Sequence, residues 1–421
     1  TGCLPTETVN GLIFHDLTTL ESYQSKVIAH PLCPACSNAN AENALQQLTA
    51  VIEGQRDVKV ELGDELLRQL NVLVDERAGI FHKFADDTIT QLPLKASRLL
   101  VREPASPLSA GFEVATYNAN TLLEARLTAM TEAVGRYTNS LPDRRTMLMA
   151  SWSQLKQSGK QAVAPAQLAT WSGMVLFEKE ARLEWFPARS LLTRELCYVP
   201  AAAVYPFSRL NQVGLFEKTV AGMATHTNFE DLLTAGFTSA LADENIRQLA
   251  RGRNVVARLD QEMLEGVDND LTFLLHNARH FQRPFELLEV LNPSPLHLTL
   301  AYTTDLVEQP IVVFGWGLSG KEAVCHALLH LVGNLQFLKY EGALPASTTS
   351  TLLPEFSVHS DIIFAETTSS HFQEPATTLS ALQDYLRASG RDLLFAHTTT
   401  TDIWSEKLFL SGVVLLTHAV P

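Results

Sequence analysis

The sequence lacks any apolar run long enough to cross a bilayer; Ile311–Phe314 and Val413–Leu416 are of strand length. No signal peptide opens it. It is also short of positive charge, with 32 Lys and Arg against 46 Asp and Glu, a net charge of −14 and no basic stripe. Nucleic acid and membrane are therefore not expected partners. Cysteine is scarce: five residues, unevenly spaced, form no disulfide framework, so a reducing cytoplasm is the expected setting. There is no phosphate-binding Walker loop, no Gly-x-Ser-x-Gly elbow and no His-Glu-x-x-His pair, which removes the commonest hydrolase and nucleotidase readings.

What remains is an ordinary globular composition, 46% hydrophobic and 19% charged, over 421 residues. That length suits one large domain or two to three lobes. Residues 1–45 hold three of the five cysteines and read as a separate connecting segment. The opening Thr1-Gly2-Cys3-Leu4 reads as the interior of a longer chain. From residue 46 onward, short β-type runs alternate with helical patterns, which predicts a mixed α/β architecture. Val72–Asp75, Glu76–Gly79 and Ile80-Phe81 read as strand, turn and strand. Val175–Phe177 and Ile311–Phe314 read as further strands.

Three segments share an Ala-anchored amphipathic helix entered from a loop: Ala125–Tyr137, Phe229–Asp243 and Glu322–Val332. The second follows Gly222-Met223-Ala224 and the third Gly315-Trp316-Gly317, where small residues permit tight turns. In this order and spacing the three helices resemble the YcaO family. Other landmarks agree: Leu73–Ile80, Val199–Pro206, Thr219–Ala224, and Leu393–Thr399 with Thr401-Asp402-Ile403. The resemblance spans roughly residues 70 to 415. It implies an α/β fold with three similar Gly-loop and Ala-rich-helix elements around a central nucleotide cleft. It also implies a subunit of a cytoplasmic synthetase that closes Cys, Ser and Thr of a ribosomal peptide into thiazoline or oxazoline rings with Mg-ATP. The implied partners are the precursor peptide and a leader-peptide-binding protein or an active YcaO chain, in a homo- or hetero-oligomer.

His30–Cys36 resembles the Cys-x-x-Cys element that precedes this domain in azoline-forming synthetases and completes a structural zinc site there. Cys3, Cys33 and Cys36 are the ligands so implied, with His15 or His30 as a fourth and cysteines left without metal as the alternative. The remaining pair, Cys197 and Cys325, read as core thiols.

The family's first helix carries Ser-x-x-x-Glu-x-x-Glu-Arg, matched here by Thr128, Glu132, Gly135 and Arg136. Its second carries Glu-x-x-Glu-Arg, matched by Ser239, Ala242 and Asp243. Its third carries Glu-x-x-Gln, matched by His330 and Gly333, and its Gly-Lys-Gly turn is matched by Tyr117-Asn118-Ala119. Mg²⁺ against a triphosphate needs carboxylates, and most are replaced. Thr128, Glu132 and Arg136 are thus the remnant of a degenerate ATP site. Glu132 with Arg136 also reads as a surface or domain-packing ion pair. Three functional readings stay open: a non-catalytic YcaO partner or scaffold, an active cyclodehydratase with divergent ligands, and an unrelated metabolic α/β enzyme whose Ala-rich helices match the family by chance. His326 and His330, one helical turn apart, read as metal ligands or as polar lining.

Overall fold

Three times in this chain a strand leads through a polar residue into a long helix, and these units organise the molecule. The computed structural model describes residues 11–35, 37, 39–57, 63–86, 92–101, 112–168, 179–304, 311–342, 344, 363–365 and 375–418. Strands β1 (Gly11–His15) and β2 (Ser22–Lys26) form a ribbon near the start. A small antiparallel sheet contains β3 (Phe81–Asp86), β4 (Lys95–Val101) and β5 (Phe112–Asn118). The middle sheet is built from β6 (Leu148–Ser151), β7 (Arg182–Ser190), β8 (Leu196–Pro200), β9 (Met223–His226), β15 (Leu393–His397) and β16 (Leu410–Leu416). It runs β6-β7-β15-β16-β9, with β8 also on β7. A five-stranded sheet runs β13 (Val312–Gly317), β12 (His297–Thr303), β11 (Phe285–Leu291), β10 (Val255–Arg258) and β14 (Ile363–Phe364). Only its β10–β14 pairing is parallel among the described strands.

The helices are α1 (Ala41–Ile52), α2 (Asp64–Leu70), α3 (Leu122–Ser140), α4 (Trp152–Gln157), α5 (Ala201–Val204) and α6 (Phe229–Ala250). Then come α7 (Gln261–Leu264), α8 (Asn269–His280), α9 (Gly320–Glu341), α10 (Leu379–Ala388) and α11 (Thr401–Glu406). The long helices α3, α6 and α9 begin alike. Thr121, Asn228 and Ser319 each accept a hydrogen bond from the backbone N–H three residues on, at Glu124, Asp231 and Glu322. Each cap satisfies an orphan donor, contributes about 1 kcal/mol, and sets an acid against the positive end of the helix dipole.

Each long helix lies between two sheets. On β9, Thr225 faces Gly135 of α3 while its neighbour Ala224 faces Gly236 of α6, so these helices cover opposite faces of the middle sheet. The other side of α6 meets Val256, Leu288 and Leu300 of the five-stranded sheet. The far face of that sheet, through Leu287 and Ala301, packs on α8 and α9. On the small sheet, Ala115 and Tyr117 join the α9 core whereas Val114 joins the α3 core. Three sheets and three helices therefore alternate in a closed sequence of layers. Cover on both faces explains why β11, β12 and β16 are buried along nearly their whole length, Glu289 and Thr299 included.

Two sequence expectations meet the structure differently. Asn71–Leu73 is a 3₁₀ turn rather than a strand. The turn after it is present, because the Asp75 carboxylate accepts from the backbone N–H groups of Arg77 and Ala78 at 2.8 Å each. The expected strand at Val175–Phe177 lies outside the described residues. Gly222 precedes β9 with φ +76°, a conformation few other residues adopt. Gly315 and Gly317 lie in β13, and Tyr117-Asn118-Ala119 leads into α3. No described helix is long and apolar enough to cross a membrane.

Candidate functional site

The α3 residues singled out from sequence share one face. Glu132 accepts a hydrogen bond from Arg136 Nη2 at 2.5 Å, and the Arg136 guanidinium lies 5.9 Å over the Phe112 ring. Thr128, one turn earlier, is exposed and its hydroxyl donates to the Glu124 carbonyl at 2.9 Å. It touches neither partner of the ion pair.

Glu132 is 37% exposed, yet its surroundings push its acidity weaker than usual, chiefly through desolvation and against the pull of Arg136. His330 has the same character. His330 of α9 is exposed by area, but the bulk of protein around it holds its pKa down to about 4, with His326 adding repulsion. Tyr117 of β5 lies close to both groups. Its hydroxyl lies 2.8 Å from His330 Nδ1, and burial followed by the charge of Glu132 raises its pKa.

A glycine on each of these helices lies against a side chain from a neighbouring strand. A Cβ placed at Gly333 would overlap the Tyr117 ring, and one placed at Gly135 would stand 2.9 Å from Thr225 Oγ1. Both are positions where the sequence comparison expects a longer polar side chain. Here neighbouring side chains have taken that space. On α6, Ser239 Oγ accepts from Gly222 N–H at 3.4 Å, and Ala242 is core. Asp243 and Glu217 both pair with Arg247, and Glu244 pairs with Arg391. These α6 groups line a recess of about 260 Å³ that contains neither Glu132 nor His330. Across the described residues, Glu132 is the single carboxylate at the positions matched to metal ligands.

A second recess, of about 270 Å³, lies between α1 and the loop after β15. Its wall contains His397, 6% exposed and 5.2 Å from the Trp404 ring, whose pKa burial pushes down to about 3. Among the described residues its Nε2 and the Thr398 hydroxyl have no hydrogen-bond partner. This recess was not anticipated; the run of Thr398 to Thr401 after an apolar strand was the available signal.

Of the cysteines expected to hold zinc, Cys3 and Cys36 lie outside the described residues. Cys33 sits in a turn in which Ser37 N–H donates to its carbonyl at 3.0 Å. Among the described residues no group of three or more His, Cys, Asp or Glu side chains is placed to hold a metal ion. His15 and His30 make other contacts, Nδ1 of the first with Ser22 and Nδ1 of the second with Leu32 N–H.

With this geometry in view, comparison with known proteins is informative. No curated protein sequence is matched. The structure is similar to a heterocyclase solved in complex with substrate and cofactor, with TM-score 0.70 and 15% identity. That match covers 97% of this chain and 59% of the other, so the chain spans little more than half the length of that protein. It is also similar to YcaO from Methanopyrus kandleri bound with AMPPCP and Mg²⁺, with TM-score 0.57 and 17% identity over 85% of this chain and 93% of that one. A third likeness is to the E. coli microcin synthetase McbBCD complex with pro-MccB17 bound, with TM-score 0.51 and 11% identity over 79% and 86% of the two chains. At these identities the likeness is one of fold. The profile described as YcaO cyclodehydratase, ATP and Mg²⁺ binding, matches residues 118–408, more than half of the sequence. The chain belongs to the YcaO cyclodehydratase family.

Proposed function

We propose that this chain is a YcaO subunit of a synthetase that closes Cys, Ser and Thr of a ribosomal precursor peptide into azoline rings, and that it serves there as a non-catalytic partner. Its companions would be an active YcaO chain or a leader-peptide-binding protein. Residues 46–421 would form the YcaO-like unit and residues 1–45 a connecting segment.

One observation carries the non-catalytic reading: Tyr117 occupies the space above Gly333, and Glu132, the single matched carboxylate of the nucleotide cleft that the family implies, is already paired with Arg136. A magnesium-bound triphosphate needs several oxygen ligands and unpaired negative charge to hold the ions. One neutralised carboxylate facing a histidine and two glycines does not supply them, so the residues present do not fit Mg-ATP. Thr128, Glu132 and Arg136 would be what is left of that site.

Calorimetry of the purified chain should show no saturable Mg-ATP binding. In a reconstituted synthetase, omitting the chain should abolish ring formation, while Glu132→Ala should leave it intact. Tight ATP binding by the chain alone, or loss of ring formation in that variant with the complex assembled, would establish the active-enzyme reading instead.

For residues 1–45 we propose a structural zinc held by Cys3, Cys33 and Cys36. The support is the Cys-x-x-Cys spacing. Elemental analysis should find about one zinc per chain, and Cys33→Ser should release it.

A further inference from the structure

His326 and His330 stand one turn apart on α9, so both rings project from one face of the helix. Both are exposed. Each ring is fixed through the same nitrogen by a different element. His326 Nδ1 lies 2.8 Å from the carbonyl oxygen of Trp316, at the end of β13. A carbonyl can only accept, so Nδ1 carries the proton and Nε2 of the neutral ring keeps its lone pair. His330 Nδ1 lies 2.8 Å from the Tyr117 hydroxyl. That hydroxyl is also 3.5 Å from the His330 carbonyl, to which it can donate while its oxygen accepts from Nδ1–H. Neither Nε2 makes a hydrogen bond among the described residues.

We propose that His326 and His330 form a two-histidine chelate for a borderline divalent ion of the Zn²⁺, Ni²⁺ or Cu²⁺ class, bound through Nε2 of each ring. Several features support this. Histidine ligands characteristically donate their other N–H to a carbonyl or similar acceptor, which fixes the ring and raises its basicity; Trp316 and Tyr117 are placed for that. Imidazole suits these ions rather than Mg²⁺, whose preference is oxygen. Among the described residues no third side chain joins the pair, which leaves coordination positions to water or to a further donor. The inference draws on α9, β5 and β13, and because His330 stands at a position matched to the family's metal ligands it rests on the reading that Mg-ATP does not occupy that position.

Ni²⁺ titrated calorimetrically into the full chain near pH 7.5 should show a saturable site that the Cys33→Ser variant retains. His326→Gln and His330→Gln should each weaken it at least tenfold, and the double variant should remove it. Tyr117→Phe keeps the ring but loses the hydroxyl that orients His330, and should cost roughly tenfold in affinity. Near-ultraviolet circular dichroism verifies that each variant is folded; both histidines are exposed, so little packing is lost. Undiminished Ni²⁺ binding by the double variant, or no saturable site in the parent chain outside the cysteine segment, would overturn the proposal.

Discussion

Tyr117 and Gly333 fit as a ring and the gap it fills: the aromatic face from β5 lies where any side chain at position 333 of α9 would begin. Lengthening Gly333 therefore forces the ring or the helix to move. Gly333→Gln should destabilise the fold by about 1–3 kcal/mol, the usual range for overpacking. Tyr117→Ala alone opens a cavity and should cost a similar amount or more. Because each change relieves the other, the double variant should be more stable than the sum of the singles predicts. Urea unfolding of all four species yields that coupling. Simple additivity would mean that the two residues do not compete for the same space.

His397 predicts an acid-sensitive fold. It is 6% exposed, packed on Trp404, with the Arg56 guanidinium 4.2 Å over the same indole. Burial first, and the Arg56 charge second, push its pKa down to about 3 from an ordinary 6.5. The folded state thus binds fewer protons than the unfolded chain between those values. The contribution to stability is complete above pH 6.5 and is lost as pH falls towards 3. Between pH 6.5 and 4.5 the loss should be roughly 2–3 kcal/mol. His397→Gln cannot titrate, so the difference in unfolding free energy between parent and variant should shrink over that interval. A constant difference would show that His397 ionises alike in both states.

Much of the architecture was legible because alanine and leucine at helical spacing mark α3, α6 and α9 whatever surrounds them. The starts were less so. Sequence placed the first helix at Ala125 and the third at Glu322, whereas they begin at Leu122 and Gly320. Thr121 with Glu124, and Ser319 with Glu322, are the capping pairs that define those starts, and they are local enough to read. Val72–Val74 looked like a strand because β-branched residues suit one, but it lies largely in a tight turn, bridging Phe81 only at Val74. The site was partly legible. Matching positions found Glu132 with Arg136 and the substituted His330, Gly135 and Gly333. That Tyr117 from a distant strand fills the space beside Gly333 depends on tertiary packing, and no local pattern carries it.

Arg391 and Glu244 test how strongly α6 is tied to the strand before the C-terminus. Their side chains are 8% and 16% exposed, and the guanidinium bonds both carboxylate oxygens at 3.1 and 2.7 Å. Arg391 Nε also donates to the Thr417 carbonyl at 2.8 Å. Removing one partner leaves the other charge buried without compensation, so Arg391→Ala should cost roughly 3–5 kcal/mol. Replacing both partners with apolar residues of similar size should cost much less. Thermal unfolding of the single and paired variants separates these cases; equal loss in both would place the stabilisation in the Thr417 bond instead.

Gly135 and Thr225 make the non-catalytic reading testable by reconstruction. If the cleft lost only its ligands, Gly135→Glu with His330→Glu should recover Mg²⁺-dependent ATP binding. The geometry argues otherwise, because Thr225 Oγ1 stands 2.9 Å from where a Cβ at 135 would lie and is itself held by Ser411 Oγ at 2.8 Å. A glutamate at 135 must therefore push the Thr225 hydroxyl off Ser411 or displace β9. The two acidic changes alone should lower stability by about 1–3 kcal/mol and give no saturable Mg-ATP binding. Adding Thr225→Ala makes room for the new Cβ, and Tyr117→Gly with Gly333→Gln clears the opposite wall. Only this combined variant should show ATP binding that depends on Mg²⁺, because only it offers both charge and space to the ions. Calorimetry across the series decides the matter. Binding that appears with the two acids alone would show that charge, and not space, was what the cleft had lost.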